Sequence, residues 1–253
     1  MNSGSRFLGA LALALSVAGL PASAEAQSDD WEFTIAPYFV FGNMSGDAGV
    51  ISPDEVPIDL GFGDLMENFK GGLIIHTEVW KSGCGVMGDL IWMSFGRDLD
   101  TPGPLPLVLD VSADQFIIEG FFAHRWAEPD RQVDVFAGVR VWDIGLDLAL
   151  VDTDHALASG DTWVDPVVGA RVVRNLSDRW FLLGRGDIGG FRVGSDFSWN
   201  VQGGVGYEVA DWFSLVAEYK GLWVDFNNEK TGLDFFSYDM LTHGPAIALA
   251  FHF

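Results

Sequence analysis

The sequence predicts an all-β chain, an antiparallel up-and-down transmembrane β-barrel of about ten strands, with eight as the alternative count. Three observations predict it. Apolar and polar residues alternate along most of the chain with the period of two that an extended strand imposes. No apolar run beyond residue 24 is long enough for a spanning helix, although the chain carries 20 Phe and 10 Trp. The closing residues 244–253 put Ile247, Leu249, Phe251 and Phe253 on one strand face, with Ala246, Ala248, Ala250 and His252 on the other. Charges interleaved with apolar residues suit a wall with lipid outside and a polar lumen inside.

Residues 1–24 read as a cleaved secretory signal peptide: basic Arg6, an apolar run over 7–20, the breaker Pro21, then Ala22-Ser23-Ala24 before the cut. Residues 25–253 form one barrel domain, with no linker or low-complexity stretch to divide it. The formal charge is −22, and the leader removes one basic and no acidic residue, so the mature chain is more acidic still. Its overall field draws in neither nucleic acid nor anionic lipid. Cys84 is the only cysteine, which excludes an intrachain disulfide.

The first strand spans 31–44 and leads into an acidic segment, 45–69, punctuated by Gly46, Gly49, Pro53 and Pro57, with a helical turn over 63–69. Strands then follow over 71–80, 85–95, 107–126, 133–150, 162–173, 180–191, 197–209, 213–226 and 235–253. Turns at 81–84, 127–132, 174–179 and 209–212 are short and face the periplasm. The connections 96–106, 151–161, 194–196 and 227–234 face outward. An even count returns both termini to one side. Trp31, Trp80, Trp126, Trp180 and Trp212 fall near the periplasmic strand ends, and Trp92, Trp163, Trp199 and Trp223 near the outer ends, as two interfacial girdles. Segment 178–183 echoes 211–215, each where a periplasmic turn enters a rising strand.

The leader, the stretch 175–190, the Gly203-Gly-Val-Gly-Tyr207 strand and the terminal Phe253 together resemble small bacterial outer-membrane β-barrel proteins of the broad OmpA/OmpW-like porin superfamily, its uncharacterised members above all. The resemblance covers the whole mature chain and implies an outer-membrane location. It makes Ile247, Leu249, Phe251 and Phe253 the signal read by the barrel-assembly machinery. The chain ends at its last strand, so no peptidoglycan-binding domain is expected after it. Fold does not carry function across such a superfamily.

With bulky apolar residues turned to lipid, the inward set contains His76, Glu78, Asp89, Glu119, Arg140, Asp165, Arg171, Arg185, Asp187, Glu218 and Lys220. Two readings stand side by side: an interlocked ionic plug, or a polar constriction of a small passive channel for ions or small solutes. A barrel of this strand number leaves little bore. Catalysis is not expected. His76 and Glu78 offer a base and its orienter without a nucleophile, and Asp152, Asp154 and His155 read as a solvated loop. No cofactor motif and no defined metal-ligand spacing occurs. The loop acids Asp47, Asp54, Glu55, Asp59, Asp152, Asp154, Asp161, Glu229 and Asp234 keep the loops soluble, with Ca²⁺ or Mg²⁺ bridges to lipopolysaccharide phosphates as the alternative. Deleting Phe253 is expected to reduce membrane accumulation while leaving the unfolding midpoint of the refolded barrel nearly unchanged. Normal accumulation of that variant would refute the sorting role.

Overall fold

The computed structural model describes residues 30–50, 55–100, 108–150 and 156–253. The leader, the 102–104 turn, Asp54, Asp152, Asp154 and His155 lie outside these residues. Strands β1 (Glu32–Val40), β2 (Asn43–Val50) and β3 (Val56–Leu60) precede a short helix, α1 (Phe62–Glu67). Then come β4 (Phe69–Lys81), β5 (Cys84–Asp100), β6 (Val108–Ala127), β7 (Arg131–Leu150), β8 (Ala156–Asn175), β9 (Trp180–Gly189), β10 (Phe197–Ala210), β11 (Phe213–Asn227) and β12 (Phe236–His252). The sheet order runs β1-β4-β5-β6-β7-β8-β9-β10-β11-β12-β2-β3, and β12 also pairs with β1. Ten strands thus close an antiparallel barrel, with β2 and β3 added at its outer end. Closure satisfies the backbone N–H and C=O groups that a bilayer cannot.

Local sequence sets the hairpins. Between β4 and β5, Ser82 (φ 49°) and Gly83 (φ 74°) supply the two successive left-handed residues of a two-residue hairpin turn. At the β7 entrance, Glu128 and Arg131 exchange backbone hydrogen bonds of 2.7 and 3.3 Å and pair through their side chains at 2.8 Å. Ser177 Oγ accepts the Trp180 amide at 3.2 Å in the next turn. These turns share one end with both termini, the periplasmic end of an even-stranded barrel. Strands β6, β7 and β8 are each 20 residues long, about twice what crosses a bilayer, so they project beyond it at the outer end.

Several sequence expectations need correction here. The first strand does not run unbroken to residue 44; it stops at Val40, and after Phe41-Gly42 the chain resumes as β2. The acidic segment 45–69 is a β2–β3 hairpin followed by α1, because β2 finds free backbone groups on the outer half of β12, from Phe236 to His243. Strand β5 continues to Asp100 and β8 begins at Ala156, so the connections expected over 96–106 and 151–161 are shorter. Trp80 and Trp163 sit at girdle heights but point inward, 3% and 5% exposed, and Trp142 joins them at 1%. Trp31, Trp92, Trp126, Trp180 and Trp212 do face outward, between 43% and 60% exposed.

Parity is otherwise kept around the wall. Ile35, Phe39, Val86, Ile118, Phe122, Val168, Leu182, Leu215, Ile247 and Leu249 form the exposed apolar exterior, while Ala246, Ala248 and Ala250 are buried inside. The exterior band faces hydrocarbon, where exposure of this kind is favourable. The outer half of the lumen is packed with Ile91, Ile117, Trp142, Ile144, Trp163, Leu222, Val224, Phe226, Phe236, Tyr238 and Met240. Trp163 stacks on Phe226 at 3.8 Å and on Trp142 at 5.7 Å. Glycine allows the strands to approach: a Cβ at Gly138 would lie 2.0 Å from the Gly120 carbonyl oxygen, whereas one at Gly184 meets nothing within 4 Å. Gly138→Ala is therefore expected to destabilise the barrel by about 1–3 kcal/mol. It should lower the temperature at which the folded gel band is lost, and Gly184→Ala should leave that temperature unchanged or raised.

Candidate functional site: the charged lumen

Midway along the lumen, strands β4 to β10 deliver a continuous set of ion pairs. Their side chains converge because charged residues at i and i+2 share a strand face, as Arg185 and Asp187 do on β9. Arg140 Nε donates to Glu119 Oε1 at 2.6 Å and its Nη2 to Asp187 Oδ1 at 2.8 Å. Arg185 donates to Asp89 Oδ2 at 3.2 Å and Glu119 Oε2 at 2.9 Å, and lies 3.2 Å from Asp187 Oδ2. Asn200 Nδ2 supplies Asp187 with a further donor at 2.9 Å. The Arg185 guanidinium also sits over the Phe121 and Phe136 rings, 5.2 and 5.0 Å from their centroids, a favourable cation–π position.

His76 links this group to a second one. Its Nδ1 lies 3.0 Å from Asp89 Oδ2 and its Nε2 2.8 Å from Glu78 Oε1. Glu78 is held by both ends of the Arg171 guanidinium and by Trp80 Nε1 at 2.5 Å. Arg171 continues to Asp134 at 2.7 Å, and Asp134 takes Arg125 Nε at 2.9 Å. On the other side, Lys220 donates to Tyr38 Oη at 2.9 Å, and Tyr38 donates to Asp89 Oδ1 at 3.3 Å.

All of the charged residues expected in the lumen face it, and the structure joins His76, Glu78, Asp89, Glu119, Arg140, Arg171, Arg185, Asp187 and Lys220 into this one network. Asp165 and Glu218 stand outside it. Asp165, fully buried, is bound by neutral donors: Trp142 Nε1 at 2.9 Å, the Ser195 amide and hydroxyl at 2.7 Å each, and Ser198 Oγ at 3.2 Å. It thereby pins the β9–β10 connection, where Phe191 (φ 52°) and Arg192 (φ 61°) turn the chain inward. Glu218 opens onto a vestibule of about 420 Å³ at the termini end, shared with Glu32, Thr34, Gln202 and His252 and lined also by His76, Glu78, Asp89 and Arg171 of the network.

Sequence reasoning missed Asp134, Arg125, Asn200 and Tyr38. Asp134 shares the face of Arg140 and Arg125 that of Glu119, so parity alone would have found both. Chemically, both ring nitrogens of His76 face carboxylate oxygens, which leaves the ring no free lone pair to act as a base. Among the described residues no group of three or more His, Cys, Asp and Glu is placed to hold a metal ion. Above the lipid band, burial first and then repulsion from Asp239, Asp196 and Glu55 raise the Asp225 carboxyl above its ordinary range. Burial opposes ionisation of Asp161, but hydrogen bonds from Asn228, Lys230 and the Thr162 amide outweigh it and lower its pKa.

No family model and no curated protein matches the sequence. Solved structures do. The outer membrane protease OmpT from Escherichia coli superposes with a TM-score of 0.61 at 11% identity, over 91% of this chain and 99% of that one. The fold is that of an outer-membrane β-barrel. The translocator domain of autotransporter NalP from Neisseria meningitidis is similar at a TM-score of 0.46 and 11% identity, over 89% and 90%. A Pseudomonas aeruginosa FadL homologue is similar at 0.29 and 9%, over 88% and 90%. An apolar exterior band around a polar lumen is stable only in a bilayer, and the chain is a bacterial outer-membrane protein.

Replacing Arg140 by Met leaves the buried Glu119 and Asp187 to share Arg185 alone among the cations and is expected to cost about 3–5 kcal/mol in urea unfolding of the refolded barrel. Adding Glu119→Gln to that chain should recover part of the loss. A cost below about 1 kcal/mol would show that the network does not hold the wall together.

Proposed function

We propose that the protein is a non-enzymatic integral barrel of structural or envelope-interaction type, in the broad OmpA/OmpW-like superfamily, whose lumen is a plug and not a conduit. One observation carries this reading: the lumen is filled in two successive layers, the Arg–carboxylate network at mid-height and the aromatic cluster of Trp142, Trp163, Phe226 and Phe236 above it. A buried guanidinium held by several carboxylates does not leave its site to let an ion by, because a partner left unpaired costs several kcal/mol. The likeness to a protease supports fold alone, and the His76 arrangement, occupied on both nitrogens and without a nucleophile, supports a role outside catalysis. Its partners on this reading are outer-membrane lipid and lipopolysaccharide, the assembly machinery that reads the closing strand, and divalent cations at the outer acids.

The alternative is a small passive channel entered through the vestibule. Planar-bilayer recordings of the refolded protein separate the two. The plugged barrel gives no discrete conductance steps at moderate voltage in molar KCl. Regular steps whose size or ion selectivity changes in Arg185→Ala would overturn the proposal in favour of the channel.

A further inference from the structure

The wall is not closed evenly. Strand β1 pairs with β4 only up to Pro37 opposite Ile75, and beyond that point β1 and β2 follow β12 instead. Among the described residues the outer end of β4, Phe69 to Ile74, is left with β5 as its sole strand partner. Helix α1 spans the gap. It is tied on one side by Asn43 Oδ1, which accepts the Phe62 amide at 3.0 Å, and on the other by the Asn68 carbonyl, which accepts the Gly96 amide at 2.8 Å. Its Leu65 is buried, and its Phe62 ring packs on Phe41 at 5.3 Å.

Beneath α1 lies a cavity of about 300 Å³. Phe39 and Leu73, outward on the two strands that flank the gap and 40% and 48% exposed, both line it, which points to a lateral mouth between them. Inside it meets Ile74, Met93, Ile117 and Leu222, so it runs from the lipid face to the interior apolar cluster. At the inner end are two buried polar side chains. Lys220 is 5% exposed, has Tyr38 Oη as its hydrogen-bond acceptor, and makes no ion pair among the described residues. Gln115 is 7% exposed and its Oε1 has no hydrogen-bond partner.

We propose that this lateral cavity binds a fatty acid taken from the outer leaflet, with the carboxylate on Lys220 and Gln115 and the hydrocarbon chain leaving through the Phe39–Leu73 mouth. The charge fits: the Lys220 ammonium reaches Asp89 only through Tyr38 Oη and pairs directly with no carboxylate among the described residues, so a carboxylate in direct contact adds a charge-assisted hydrogen bond, the strong kind. Rotation of the Gln115 amide presents its NH₂ to the second carboxylate oxygen. The size fits as well, since the volume is at the lower limit for small-molecule sites and an alkyl tail continues into lipid. A neutral apolar molecule would leave both polar groups unanswered. The site does not depend on the lumen being sealed, because its mouth opens sideways.

Delipidated, refolded protein incubated with myristate or methyl myristate, and assayed for retained ligand by native mass spectrometry, tests the site. Gel mobility before and after heating verifies folding. Wild type is expected to take up myristate saturably. Lys220→Met should weaken that uptake roughly tenfold or more while leaving methyl myristate unaffected, and Lys220→Arg should restore it. Met93→Trp, which fills the cavity from β5, should remove both ligands; Ile74→Phe serves if that variant does not fold. Folded wild type that takes up no myristate, or a filled variant that still binds it, would overturn the site. Equal affinity in wild type and Lys220→Met would overturn the carboxylate assignment.

Discussion

The seam where β12 meets the start of the chain governs the rest of the structure. In hydrocarbon a strand edge must be paired or covered, so the last strand must find the first. Here it finds two segments in succession. Its inner half takes β1, from Ala246 to His252, and its outer half takes β2, from Phe236 to His243. That choice closes the barrel at the membrane's inner level and diverts the first strand from β4 at the outer level. Helix α1, the β2–β3 hairpin and the lateral cavity are all consequences of it.

The alternating terminal stretch therefore does more than close a cylinder. Ala246, Ala248 and Ala250 are small on the inner face, and Ala248 and Ala250 line the vestibule with Thr34 and His252. Farther out along β12, Phe236, Tyr238 and Met240 point inward and join the aromatic packing. One strand thus changes from small to large side chains along its length, and the lumen changes with it from open to filled. The ionic layer lies between, where Arg140, Arg171 and Arg185 are each held by two or more carboxylates and His76 faces two. Such sharing offsets desolvation better than an isolated pair would.

The fold was legible in the sequence because its two signals are local. Period-two alternation marks the wall, and turns such as Ser82-Gly83 mark the hairpins, so strands β4, β6, β7, β9, β10, β11 and β12 match the expected spans closely. Strand β2, Asn-Met-Ser-Gly-Asp-Ala-Gly-Val, was hidden because its residues are small and polar and carry no alternation. The outer extensions of β5 and β8 were hidden for a related reason: above the bilayer, a strand face is no longer selected to be apolar. Inward orientation of the charged residues was equally legible, from parity. Their partners were not, since Glu78 and Arg171 are 93 residues apart and meet only through the stagger of a closed barrel. Trp80 and Trp163 show the same limit, because height along a strand is readable from spacing, whereas an aromatic residue suits either face.

The Arg140 side of the ionic layer, with Glu119, Arg185 and Asp187, is shut off from water beneath the aromatic cluster, while the His76–Glu78–Arg171 side lines the vestibule. Hydrogen exchange at the Arg140 Nε–H, followed by NMR on the refolded barrel with labelled arginine, tests this without altering the chain. Protection at Arg140 is expected to persist for hours, with exchange orders of magnitude slower than at Arg179 in the exposed turn. Exchange at Arg140 as fast as at Arg179 would contradict it.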